Sequence, residues 1–400
     1  MVDPGDATTW GPLVEPIADD ATHAAVTFRL PRAPQDRRAA LVGNKLFTRD
    51  HLDDALMTAA GDDDGTPRWE LTVRLPTDHR GSYQFAVDSR ADGRPAMSLT
   101  ELMSHGTPDP GVAEQIPMRW AERRASVLTL AHAPASRWQK QVASTVARGE
   151  IRVMPLSAPG IVDREVYLYR SPGISASTKT PVIVLLDGDM WLGRTDLPRQ
   201  LDWLLATGQI APVTVVAPSA VDVETRWSEM TAQDGFADFL AGPLLTAAQT
   251  TGAVSSDPAQ CTVAGQSLGG LTALHTATRH PDVFGNAIAE SPSLWWRPGS
   301  ARRVPAGDVR SDRDGEPTWL ATHLAKATRH QRFRIAVGRY EGGMVTQAHR
   351  AAEQLAETGA EVVVTEVSGG HDHAWWRVHL LDAIVEFAPP TSDLKESAAQ

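Results

Sequence analysis

The sequence predicts an α/β fold with a mainly parallel sheet, preceded by a smaller N-terminal antiparallel β-sandwich. Three observations carry this. Residues 20–100 hold short stretches that alternate apolar and polar at every second position, separated by turn-like segments. From about residue 150 the rhythm changes to continuous apolar runs alternating with stretches of helical spacing. One of those runs passes through G-Q-S-L-G-G (265–270) directly into an apolar helical stretch. A length of 400 residues exceeds one ordinary core and suits two domains, which we divide as 1–145 and 146–400.

The first domain is read from its alternations. Residues 23–30 contain A-V-T-F-R-L, 69–75 read W-E-L-T-V-R-L and 82–87 read S-Y-Q-F-A-V. A short apolar stretch over 39–43 ends in glycine. Turns are expected at 61–65 and 78–81, and the strands make a sandwich of about 130 residues. The acidic run Asp62, Asp63 and Asp64 reads as a solvated loop, not a metal site. Residues 101–150, rich in Pro and Gly near 106–111, read as a crossing segment and linker, with a strand at 126–130.

In the second domain, 181–187 (P-V-I-V-L-L-D) is a continuous apolar strand, as a strand covered on both faces should be. Further strands are predicted at 213–217, 261–265, 286–290, 333–337 and 361–367. Helices are predicted over 234–250, 268–278, 318–328, 345–357 and 375–387.

Composition narrows the function. A net charge of −11 argues against nucleic acid, which needs clustered Lys and Arg. It does not argue against a small anion in a locally basic pocket. The single cysteine, Cys261, lies in an apolar run and reads as a buried strand residue, so no internal disulfide forms. No apolar run reaches the roughly 18 residues of a membrane span. The N-terminus shows no secretion signal, so a cytoplasmic location is expected. Twelve tryptophans include Trp191, Trp227, Trp295, Trp296, Trp375 and Trp376 near the expected active-site loops, an aromatic wall or simply core.

The chemistry centres on Ser267. A G-x-S-x-G element between strand and helix places its serine on a sharp turn at the top of the sheet, the arrangement of an α/β-hydrolase nucleophile. The helix N-terminus behind it directs the Leu268 N–H at a developing oxyanion. The base should follow the last strand, where G-G-H-D-H (369–373) offers His371, with His373 as competitor. A metal site from His371, Asp372 and His373 is a third reading. The acid should follow the preceding strand, where Glu341 is the carboxylate of the 338–343 loop; Asp372 is the alternative. A second oxyanion donor is expected from the backbone N–H of Asp189, after the bend at Gly188. No cofactor or metal is called for.

Four motifs together, L-L-D-G-x-x-W (185–191), V-A-G-Q-S-L-G-G-L (263–271), S-P-S-L-W-W (291–296) and G-G-H-D (369–372), resemble the enterochelin (ferric enterobactin) esterases. The likeness spans most of 150–390 and, more loosely, the strand-rich N-terminal region. Each motif alone is shared with the wider esterase D group. The resemblance implies hydrolysis of the trilactone esters of a ferric catecholate siderophore by a cytoplasmic enzyme. It implies oxyanion donors at Asp189 and Leu268, an acid at Glu341 and a substrate-binding arginine at Arg226. Arg194, Trp191 and Trp296 are expected to join the pocket. The chain departs from the enterobacterial pattern at 230–234, M-T-A-Q-D, where an asparagine is expected. The rival readings are an esterase or acyltransferase acting on another acyl or carbohydrate ester, a glycan-binding module and a non-catalytic siderophore binder.

Overall fold

The structure, a computed structural model, describes residues 10–47, 49–61, 66–90, 96–300 and 318–390; Asp62, Asp63 and Asp64 lie outside them. The N-terminal part holds strands β1 (Leu13–Ile17), β2 (Asp20–Pro31), β3 (Arg38–Gly43), β4 (Thr58–Gly61), β5 (Pro67–Pro76), β6 (Arg80–Asp88), β7 (Gln115–Pro117) and β8 (Arg124–Thr129). They form two four-stranded antiparallel sheets, ordered β1-β2-β5-β4 and β3-β6-β8-β7. The alternation read from the sequence sets the facing. Ala24, Val26 and Phe28 of β2 point inward and are buried. Val26 and Phe28 meet Leu41, Tyr83 and Phe85 of the other sheet in one core. Burying such side chains contributes roughly 1.5–3 kcal/mol each.

The segment expected as linker is largely part of this sandwich. β8 pairs with β6 and buries Ala125, Ser126, Val127 and Leu128. The buried Asp109 accepts a 2.6 Å hydrogen bond from Tyr83 Oη, which anchors the Pro/Gly-rich stretch.

The C-terminal part holds β9 (Glu150–Ala158), β10 (Ile161–Arg170), β11 (Val182–Leu185), β12 (Thr214–Pro218), β13 (Cys261–Gln266), β14 (Asn286–Glu290), β15 (Arg332–Gly338) and β16 (Glu361–Val367). They make one sheet in the order β16-β15-β14-β13-β11-β12-β10-β9. It is parallel from β12 to β16, with the antiparallel pair β9–β10 at one edge. That edge hairpin is absent from the sequence reading. Strands β11 to β14 are buried throughout because helices cover both faces. Cys261 is buried as expected, and burial pushes its thiol pKa up to about 12. Among the described residues, no helix is long and apolar enough to cross a membrane.

Two predicted helices differ. The 234–250 stretch is two helices, Asp234–Ala241 and Pro243–Ala248. Pro243 lacks an N–H and suits only the first turn of a helix, so it starts a new one. The 318–328 stretch forms only the short helix Ala321–Leu324. A helix at Val223–Glu229, which carries Arg226, went unread.

The sandwich docks on the loops at the carboxyl ends of the parallel strands. Arg80 N donates to Ser368 O at 2.9 Å, Ser82 Oγ donates to Asp372 Oδ1 at 2.9 Å, and Arg194 Nη1 donates to Met118 O at 2.9 Å. Ile116, Ala125 and Val127 pack on Ala374.

Candidate active site

Strand β13 runs into the helix Leu268–Arg279 with one residue between them, Ser267. Its backbone sits at φ 60°, ψ −119°, a conformation a non-glycine residue adopts only when its surroundings hold it. They do: Ser267 N donates to Glu290 O at 2.9 Å, and Ser293 N donates to Ser267 O at 3.0 Å. Leu268 is the first helical residue, so its N–H has no intrahelical acceptor and is available to an oxyanion. Ser267 Oγ lies 3.3 Å from Ser293 Oγ and is hydrogen-bonded there and not to His371.

His371 follows β16. Its Nδ1 lies 2.9 Å from Glu341 Oε2. The Glu341 side chain is fully buried. Its other oxygen accepts from Ser291 Oγ at 2.6 Å and from Gly338 N at 3.0 Å. Trp376 Nε1 in turn donates to Ser291 Oγ at 2.9 Å, and the Trp376 ring stands edge-on to His371 with centroids 4.8 Å apart. The acceptor at Nδ1 places the proton there and leaves Nε2 as the basic nitrogen.

The neighbours of His371 are otherwise engaged. Asp372 caps the helix His373–Phe387 by accepting from Ala374 N at 2.9 Å, and it accepts from both Ser82 N and Ser82 Oγ. Burial pushes its pKa up, against the pull of those donors. It ties the two parts of the chain together and does not face the imidazole of His371. His373 is wedged between Trp191 and Trp376, with ring centroids at 5.6 and 4.7 Å. Burial, aided by the Arg119 charge, holds its pKa well below the ordinary histidine value, so the ring is neutral. Trp376 lies against both His371 and His373, and these two with Asp372 form no metal-ligating group among the described residues.

Ser267, His371, His373 and Trp376 line a cleft of about 610 Å³. The sandwich contributes Lys45 and the loop Met118, Arg119, Trp120 and Arg123 to the same lining. Arg226 lines it too, donating to Asp187 Oδ1 at 2.8 Å, Asp187 Oδ2 at 3.0 Å and Gln266 O at 3.2 Å. Arg119 forms an ion pair with the same carboxylate. Burial alone would raise the Asp187 pKa, but the Arg119 and Arg226 guanidiniums hold it well below the usual carboxylate range. Two guanidiniums share this carboxylate, and Lys45 and Arg123 add further cationic side chains to the lining.

Arg194, Trp191 and Trp296 lie elsewhere. Arg194 lines an adjoining cleft of about 520 Å³ and holds the sandwich loop by donating to Met118 O and Ala121 O. Trp191 is buried under the serine turn and donates to Gln266 Oε1 at 2.7 Å. Trp296 packs edge-on against Trp319 in the core, 5.0 Å between centroids. Asp189 is in the first turn of the short helix Gly188–Trp191, so its N–H has no intrahelical acceptor, while its carboxylate accepts from Ala220 N at 2.8 Å. Lys45, Arg119, Trp120 and Arg123 were not read from the sequence. The adjacent M-R-W (118–120) was a visible cation–aromatic signal without a location.

The model of the Esterase family matches residues 162–387, more than half the chain. The chain belongs to the esterase family. Residues 25–139 match the family described as enterochelin esterase, N-terminal. The esterase is 29% identical over 382 residues to an iron(III) salmochelin esterase of Escherichia coli O6:H1, covering 93% of this chain and 90% of that protein. It is 26% identical over 343 residues to an iron(III) enterobactin esterase of Dickeya dadantii, covering 80% of this chain and 76% of the relative. Its fold matches the crystal structure of the ferric enterobactin esterase of Salmonella typhimurium with a TM-score of 0.77, at 23% identity over 94% of this chain and 96% of that one. The predicted fold and family therefore hold: a mainly parallel α/β-hydrolase sheet behind an N-terminal antiparallel domain, in a carboxylic ester hydrolase.

Proposed function

We propose that this esterase hydrolyses the ester bonds of a catecholate siderophore through a serine mechanism, with Ser267 as nucleophile, His371 as base and Glu341 as acid. One observation carries it: His371, held by the buried Glu341, shares with the strained Ser267 a cleft lined by Lys45, Arg119, Arg123 and Arg226. A ferric tris-catecholate is anionic, and arginine-rich walls suit such ligands. The named relatives are salmochelin and enterobactin esterases, which supports the substrate class.

In this mechanism Ser267 Oγ attacks the ester carbonyl while His371 Nε2 takes its proton. The oxyanion is held by the Leu268 and Asp189 N–H groups. The imidazolium, stabilised by Glu341, gives the proton to the departing alkoxide of the siderophore's serine unit. Water, deprotonated by His371, then releases the acyl group and restores Ser267. Arg226 positions the Asp187 carboxylate beneath the site, and the cationic side chains of the lining attract the substrate. We place the domain division at 145/146 and the enzyme in the cytoplasm.

Ferric enterobactin, incubated with the enzyme and resolved by chromatography, should yield linear trimer, dimer and monomer, and Ser267→Ala should yield none. Intact siderophore with turnover of a simple aryl ester would transfer the mechanism to another acyl or carbohydrate ester. Undiminished cleavage by Ser267→Ala would overturn it.

A further inference from the structure

His275 lies eight residues beyond Ser267 on the same helix, about 12 Å along its axis. It is fully buried, yet neither ring nitrogen has a hydrogen-bond partner. Buried polar groups are almost always satisfied, so an orphaned imidazole needs a physical reason. Two groups approach it. Asp234 Oδ1, at the start of the helix Asp234–Ala241, lies 3.1 Å from Nε2, out of line for a hydrogen bond. The His323 ring, on Ala321–Leu324, stands nearly perpendicular, with centroids 4.8 Å apart. One ligand atom from each of the three lies within 4.8 Å of the others.

We infer that Asp234, His275 and His323 form a binding site for a divalent transition metal of zinc's chemistry. Two imidazoles and one carboxylate are a donor set that suits zinc, whereas magnesium and calcium favour oxygen alone. Tetrahedral zinc holds its ligand atoms about 3.4 Å apart; Asp234 Oδ1 and His275 Nε2 already lie at 3.1 Å, and the three ligand atoms all lie within 4.8 Å of one another, so small side-chain adjustments complete the site. Arg279 Nη1 holds Asp234 Oδ2 at 3.1 Å, which orients the carboxylate from behind as outer partners of metal ligands do. The Asp234 side chain is 61% exposed, which provides an entry path and leaves the fourth position to water. The metal ties residues 321–324 to the helix that begins beside the nucleophile, a stabilising role separate from ester hydrolysis.

The full-length enzyme, stripped with chelator and dialysed, is titrated with zinc while heat of binding and Tm are followed. One equivalent should bind and raise Tm by several degrees, and cobalt should give the visible absorption of a tetrahedral site. Asp234→Asn, at an exposed side chain, and His323→Gln should lose both effects while retaining the metal-free Tm of the parent. No uptake by the parent, equal uptake by both variants, or an equal response to magnesium would reduce the cluster to an aromatic pair beside an ion pair.

Discussion

Two histidine–glutamate pairs lie side by side in this esterase and differ in one respect. In the first, His371 Nδ1 meets Glu341 at 2.9 Å; in the second, His379 Nδ1 meets Glu290 at 2.8 Å. Both glutamate side chains are fully buried. Both follow parallel strands, Glu290 ending β14 and Glu341 just after β15. The first pair's ring borders the cleft that holds Ser267. The second pair turns inward: Glu290 accepts from Gln266 Nε2 at 2.8 Å, and Gln266 accepts from Trp191. That chain braces the serine turn from below. A histidine held by a carboxylate is therefore not a catalytic base on geometry alone. What faces its other nitrogen decides.

The largest effect that tests this contrast is Ser267→Ala, expected to lower kcat by about 10⁴-fold or more while substrate still binds. Next, Glu341→Gln should cost roughly 10³–10⁴-fold in kcat with little change in KM, because it removes the charge that stabilises the imidazolium. Glu290→Gln is the counterpart: activity within about threefold of the parent, but a stability loss of roughly 1–3 kcal/mol from the broken buried network. If denaturant unfolding and steady-state kinetics show the two variants losing kcat alike, the distinction between the pairs fails.

A third histidine sharpens the comparison because no carboxylate holds its ring. His79 stacks on Tyr340 at 5.6 Å, with Nδ1 buried and unpartnered. Burial lowers its pKa from 6.5 to about 4, with Asp78 and the Ser368 backbone pulling the other way. The folded form binds fewer protons than the unfolded form between those values. Its stability contribution is complete above pH 6.5 and is lost as pH falls toward 4, by up to roughly 3 kcal/mol. Relative to the parent, His79→Phe should flatten the acid limb of Tm against pH; a parallel limb would remove His79 from the account. The smallest expected effect is at the cleft mouth. Trp120, 47% exposed, offers a flat face to an aromatic substrate. Trp120→Ala should raise KM for a catecholate siderophore a few-fold and leave kcat and Tm unchanged, and an unchanged KM would place the substrate elsewhere.

Legibility of the sequence tracked the range of the interactions involved. The turn bearing Ser267 was visible because strand, glycines and helix are contiguous. His371 and Glu341 were visible as residues that follow successive strands, while their 2.9 Å approach came only with the structure. The sequence favoured His371 over His373 because alternate residues of an extended loop point to opposite sides, while the Trp191 and Trp376 contacts of His373 came only with the structure. Asp372 stayed the alternative to Glu341, and its capping bond to Ala374 N and its contacts with Ser82 likewise came only with the structure.

The sequence by itself determined the layer architecture and the esterase likeness, and it singled out Ser267 as the candidate nucleophile. These rest on local periodicity and on short motifs whose backbone demands are met by neighbouring residues. The tertiary structure alone decided where the long-range partners fall. It drew residues 115–129 into the sandwich, because β8 pairs with β6 across forty residues. It turned Trp191 inward and set Arg194 to hold a loop. It brought Arg119 and Trp120 into the lining of the cleft that holds Ser267. Such contacts are chosen by the burial and hydrogen-bond satisfaction of the whole chain, which no local pattern encodes.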